Sequence, residues 1–211
     1  MIKNVIFDVG NVLASFRPKQ VLLDDMGLEE EETEAILKAT VHGPLWKEMD
    51  RGVIPEKEVI SQMRNRLEEK YHPNFDRFFN EKAGNLVETF SYASDWLKEL
   101  KERGYGVYIL SNYPVELFEM HSRHFTFLPY ADGRIVSGYV KCIKPDPKIY
   151  EILLETYGLQ PQECVFLDDL EENIAGANAC GIHGIQFTGY EETKSRLEQL
   201  LGYEEMKSRL E

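Results

Sequence analysis

Short apolar runs alternate with helical patterns on either side of a long central block. Residues 4–8 (Asn-Val-Ile-Phe-Asp), 105–111 (Tyr-Gly-Val-Tyr-Ile-Leu-Ser) and 164–168 (Cys-Val-Phe-Leu-Asp) are mostly apolar and do not alternate with polar positions. They are too short for helices and predict parallel strands buried on both faces. Residues 183–187 predict a further strand. Ala93, Trp96, Leu97 and Leu100 fall at i, i+3, i+4 and i+7, with Gly104 as a stop. Ile149, Ile152 and Leu153 repeat the spacing before Gly158, and 173–180 predicts a short helix ended by Gly181. This alternation predicts an α/β fold with a doubly wound, mostly parallel sheet. Right-handed crossovers would place the strand ends on one edge.

Residues 15–91 break the rhythm. Val59, Ile60, Met63 and Leu67 mark one amphipathic face, and the acidic run 29–32 precedes Ala35-Ile36-Leu37, where acids favour a helix N-terminus. The block shows helical patterns and no convincing strand. It predicts an all-helical cap inserted between the first two core strands, leaving 1–14 and 92–211 as a discontinuous core, with hinges near Ala14 and Tyr92. The C-terminus carries a near-repeat, 190–198 against 203–211, that predicts a terminal helical extension.

A chain of 211 residues suits one generous domain or a core plus an insert, and 43% hydrophobic content argues against disorder. The net charge of -13 excludes a nucleic-acid footprint and disfavours acidic lipid surfaces. An anionic small substrate needs local cations in its site. No apolar stretch reaches the roughly 18 residues of a membrane span. The chain opens directly on a strand-like run, and its three cysteines, Cys142, Cys164 and Cys180, form no CxxC pair. A reduced, cytoplasmic setting is expected.

Four separated segments carry candidate chemistry. Asp8 ends the first strand, where open α/β sheets bind ligands. Its carboxylate could attack phosphorus, although Asp-Val-Gly-Asn also has ordinary turn chemistry. Ser111 and Asn112 end the second strand before Pro114 and could cradle a phosphate or simply cap a helix. Lys144 precedes Pro145-Asp146-Pro147, whose prolines set the start of a helix; it could neutralise a transferring phosphoryl group or be a surface charge. Asp168 and Asp169 end a further strand, where adjacent carboxylates call for a cation or donors, unless they cap the next helix.

Together, in this order, Phe7-Asp8-Val9-Gly10-Asn11-Val12, Leu110-Ser111-Asn112, Lys144-Pro145-Asp146-Pro147 and Phe166-Leu167-Asp168-Asp169 resemble the haloacid dehalogenase superfamily with a C1-type helical cap. Motif one looks most like the bacterial glucose-1-phosphate phosphatase branch. The resemblance implies a Mg²⁺-dependent phosphatase of a small phosphorylated metabolite, with sugar phosphates among the candidates, working through an aspartyl-phosphate. It implies Asp8 as nucleophile and Lys144 as its catalytic partner. Ser111, Asn112 and Lys144 would bind phosphate. Asp8, the Gly10 carbonyl and Asp169 would hold the metal, with Asp168 behind them. Gly10 stands where most such phosphatases carry an acid–base aspartate, so catalysis by a different group, or none, is implied.

Two other functions stay open: metal-free dehalogenation of 2-haloacids, and a non-catalytic binding role on the same scaffold. Weaker candidates are Lys141, Asn173 as a loop holder, and His121 with His124 as a surface pair. In the Leu45–Gly52 stretch, which resembles a cap segment, Trp46 reads as core and Arg51 as structural; Arg17 is no stronger.

Overall fold

The computed structural model describes residues 1–210, with side chains through Gly202. Five strands form one parallel sheet: β1 (Asn4–Phe7), β4 (Gly106–Ser111), β5 (Gly133–Val136), β6 (Cys164–Asp168) and β7 (His183–Gln186), in the order β5-β4-β1-β6-β7. The two remaining strands, β2 (Ala14–Phe16) and β3 (Val87–Thr89), pair antiparallel in a separate ribbon. The sheet is α/β and doubly wound, as the alternation predicts.

Both faces of β1 are buried, which is why its residues read as a continuous apolar run. Phe7 packs with Trp96 at 5.0 Å between ring centroids, under the helix Ala93–Glu102. Ile6 faces the other way, into a cluster with Phe166, Ile149, Tyr150 and Leu153. Each such side chain stabilises the fold by roughly 1.5–3 kcal/mol through burial. The helix Pro147–Tyr157 starts where its prolines predict: Asp146 caps it, its side chain accepting from Lys148 N at 2.9 Å. That cap fixes the loop that carries Lys144.

β1 lies between β4 and β6, with Phe7 opposite both Ile109 and Leu167. The chain therefore leaves β1 toward β5 on one side and returns on the other. Open α/β sheets bind ligands at such a switch, beyond the carboxyl ends of the strands. Asp8, Ser111 and Asp168 stand at the carboxyl ends of three adjacent strands.

The block 15–91 is mostly helical, with Glu30–Ala39, Pro44–Arg51, Glu56–Arg64 and His72–Arg77 as its longer elements. It is not all-helical. Ser15 pairs with Glu88 and Phe16 with Val87, so the expected absence of strands is corrected. Three-residue strands whose partners lie some 73 positions away leave no local period to detect. Both exits are also tied down, since Phe90 N donates to Leu13 O at 3.0 Å and Tyr92 OH to Val12 O at 2.7 Å. β5, with only four residues, has no sequence expectation at all.

The C-terminal extension is helical, Tyr190–Leu210. Its first half packs onto the core through buried Leu197 and Leu201, with Lys194 Nζ 2.6 Å from Glu99. The side chains of the second repeat copy lie outside the described residues.

Candidate active site

Lys144 is buried, and three oxygens surround its ammonium. They are Asp168 Oδ2 at 2.6 Å, Asp8 Oδ1 at 2.9 Å and Leu110 O at 3.0 Å. Burial alone would lower its pKa, but the Asp8 and Asp168 carboxylates outweigh burial and push it up, so it stays charged. Asn112 fixes the lysine's backbone from both sides: Nδ2 donates to Lys144 O at 3.0 Å, and Oδ1 accepts from Lys144 N at 2.8 Å. The Asn112 amide thus positions Lys144 through one N–H and its oxygen, while the residue lines the cavity where the resemblance implies phosphate contact.

Asp168 is more crowded. Besides Lys144, it accepts from Leu170 N at 2.8 Å and from Asn173 Nδ2 at 2.9 and 3.0 Å. Asn173 holds this loop, as its sequence position suggests. Asp169 accepts at one oxygen from Asn11 Nδ2 at 3.0 Å. Asn11 adopts a left-handed φ of 56°, within the tight turn that brings Gly10 beside Asp8. Burial raises the Asp169 carboxyl, partly offset by the Asn11 hydrogen bond.

Asp8, Asp168 and Asp169 each offer an oxygen, all within 4.8 Å of one another. Three carboxylates against one lysine leave an excess of negative charge in a buried place, which a divalent cation would relieve. Burial lifts the Asp8 carboxyl to about 6, with Lys144 pulling it down and Asp168 pushing it up. Asp8 Oδ1 is buried and, despite the nearby ammonium, makes no hydrogen bond. Hard oxygen donors and an excess of buried negative charge fit Mg²⁺. The crowding of Asp168 leaves Asp8 and Asp169 as the freer donors.

A cavity of about 700 Å³ opens above this cluster, lined by Asp8, Gly10, Ser111, Lys144 and Asp169 on the sheet side. A family model described as "Hydrolase: haloacid dehalogenase-like hydrolase" matches residues 2–181. The chain belongs to this family. The hydrolase is 30% identical over 206 residues to a sesquiterpene phosphatase of Aspergillus oryzae, covering 94% of this chain and 96% of that protein. A phosphoglycolate phosphatase of Aliivibrio fischeri is 28% identical over 138 residues, covering 63% of this chain and 56% of that protein. A Bacteroides thetaiotaomicron HAD family enzyme, solved with magnesium and inorganic phosphate, matches the fold with a TM-score of 0.67 at 23% identity, covering 88% and 94% of the two chains.

The opposite wall of the hydrolase's cavity is largely apolar: Phe16, Val41, Trp46, Val87 and Leu117. Trp46 packs against the edge of the core and also lines the cavity; it is half-buried and sits on Phe16 at 5.7 Å. His121 is likewise no surface residue. It is buried, and Nε2 donates to Ala83 O at 2.7 Å, so Nδ1 accepts from Tyr113 OH at 2.6 Å. Burial lowers its pKa and favours this neutral form. His124 stays exposed. Lys141 is a clamp, donating to Gly52 O at 2.6 Å and Gly138 O at 2.7 Å. Arg51 pairs with Glu48 at 3.7 Å, and Arg17 donates to Asn85 O at 3.2 Å. Asp50, which no sequence motif singles out, lines the cavity one helical turn after Trp46. The i, i+4 spacing of Trp46 and Asp50 was the available signal.

Proposed function

We propose that this hydrolase is a Mg²⁺-dependent phosphatase of a small phosphate monoester, with Asp8 as nucleophile. The Lys144–Asp8–Asp168 cluster carries this reading, because it couples a buried carboxylate to a fixed ammonium at the mouth of a cavity. Asp8 attacks phosphorus in line, the ester oxygen departs, and water then frees phosphate from the aspartyl-phosphate. Lys144 and the Ser111 hydroxyl hold phosphoryl oxygens, and Asn112 keeps Lys144 in place. Asp8, the Gly10 carbonyl and Asp169 would hold Mg²⁺, which would neutralise charge on the transferring group. Residues 15–91 act as a cap over the core formed by 1–14 and 92–211. Three free cysteines suit a reducing, cytoplasmic setting.

The apolar wall narrows the substrate class. The motif-one likeness points to a sugar phosphate, whereas Phe16, Val41, Trp46, Val87 and Leu117 suit an apolar alcohol. The latter agrees with the similarity to a sesquiterpene phosphatase. The acid cluster opposes a dehalogenase, whose reaction needs no cation. Turnover of 2-haloacids that survives chelation would reverse that ranking.

The test is a panel of prenyl, aryl and sugar monophosphates with Mg²⁺ or a chelator, run beside Asp8→Asn. Turnover that needs Mg²⁺, falls on the order of 10⁴-fold in Asp8→Asn and favours apolar esters is expected. No Asp8-dependent turnover on any ester would leave the non-catalytic binding role standing instead.

A further inference from the structure

The proposed reaction lacks a proton donor. Position 10 is glycine, and a Cβ built there meets nothing within 4 Å, so open space lies where a carboxyl would stand. Alkoxides are poor leaving groups, and general acid–base help is worth roughly 10²–10⁴-fold. Of the other titratable side chains around the cavity, Lys47 pairs with Glu172 at 3.6 Å, Asp169 accepts from Asn11 at 3.0 Å, and His42 is exposed. Both ring nitrogens of His121 are used, Tyr113 donates to it, and Lys144 and Asp168 hold each other. Among the described residues lining the cavity, the buried side-chain oxygens without a hydrogen bond are Asp8 Oδ1, Asn173 Oδ1 and Asp50 Oδ1. Asp8 is the nucleophile, and an amide oxygen carries no transferable proton. Asp50 is left.

We infer that Asp50, a residue of the inserted cap, is the general acid and base of this site. This rests on the phosphatase reading. Asp50 lies in the last turn of the helix Pro44–Arg51 and is 8% exposed. The core also holds its backbone. Ser137 Oγ donates to Asp50 O at 2.6 Å and accepts from Tyr113 N at 2.8 Å, which joins Asp50 to the loop after β4. Next to it Gly52 adopts φ 67° and packs so closely that a Cβ would lie 2.7 Å from Gly138 O. Lys141 bridges the same seam.

Burial raises the Asp50 carboxyl well above the ordinary range. The Asp8 charge adds to this, as does Glu56 at the start of the next helix, while Lys144 and Lys47 oppose it. Burial and its acidic neighbours thus favour the protonated form of this carboxyl. In the first step Asp8 forms the O–P bond, the P–O(ester) bond breaks, and Asp50 gives its proton to the departing oxygen. In the second, Asp50 takes a proton from water as the water oxygen bonds to phosphorus. The P–O(Asp8) bond breaks, its electron pair returns to Asp8, and phosphate leaves.

The experiment measures kcat/KM for aryl and alkyl phosphates of graded leaving-group pKa, in the wild type, Asp50→Asn and Gly10→Asp/Asp50→Asn. The wild type should depend only shallowly on leaving group. Asp50→Asn should lose about 10²-fold or more on alkyl phosphate and at least tenfold less on p-nitrophenyl phosphate. It should also show a burst of nitrophenolate as the aspartyl-phosphate accumulates. The double variant should regain alkyl turnover. A steep wild-type dependence overturns the proposal even if Asp50→Asn does not fold. A loss equal across esters, or no loss, overturns it while Asp8-dependent hydrolysis keeps the phosphatase reading intact. A wild type inert on every ester removes both.

Discussion

Two walls face each other across the cavity and follow different rules. On the sheet side, Lys144, Asp8, Asp168, Asn112 and Asn173 lock one another with contacts between 2.6 and 3.0 Å. On the cap side, Trp46 is half-buried against Phe16, and Asp50 Oδ1 has no hydrogen bond. The first wall is over-determined, which suits chemistry that is the same for every ester. The second is largely apolar, with His42, Lys47 and the Asp50 carboxyl as its titratable groups, which suits choosing an alcohol and handling its proton. In this hydrolase the proposed acid–base residue and one part of the apolar wall, Trp46, thus share one helix, Pro44–Arg51, rather than the loop after β1.

The strongest way to break this contrast is Lys144→Met. It leaves Asp8 and Asp168 buried without their cation, which should cost about 3–5 kcal/mol and abolish turnover. Urea denaturation checks the stability and an ester assay the activity. A loss under 1 kcal/mol would mean the sheet-side network is not over-determined.

A smaller effect should come from the metal. Mg²⁺ at a hundredfold its Kd should add about 2.7 kcal/mol, or roughly 5–10 °C in melting temperature for a chain of this size. The gain should vanish in Asp169→Asn. It should also fade in acid, because Asp8, lifted by burial to about 6, must lose its proton to bind metal. Apparent affinity should drop about tenfold per pH unit below that value. Asp8's own contribution has the opposite sign. Its folded pKa exceeds its unfolded one, so in metal-free protein that contribution is greatest in acid and is lost as pH rises through about 6. Melting curves across pH, with and without Mg²⁺, separate the two.

The mildest change is expected from Trp46→Ala. KM for an apolar ester should rise about tenfold, equivalent to roughly 1.4 kcal/mol, with little change for glucose 1-phosphate. Equal effects on both would deny the cap-side wall its selective role.

The sequence alone specified the central strands of the sheet but not β5, because β1, β4 and β6 are buried on both faces and so read as apolar runs. It also marked Asp8, Ser111, Lys144, Asp168 and Asp169, since parallel strands and right-handed crossovers bring their carboxyl ends to one edge. The β2–β3 ribbon, the buried state of His121 and the cavity position of Trp46 and Asp50 were decided only in three dimensions. Each depends on contacts between residues far apart in the chain, as when Ser137 grips Asp50 across 87 positions. Local periodicity shows which side of a helix is apolar, but only the folded neighbours decide whether that side meets a core or a cavity.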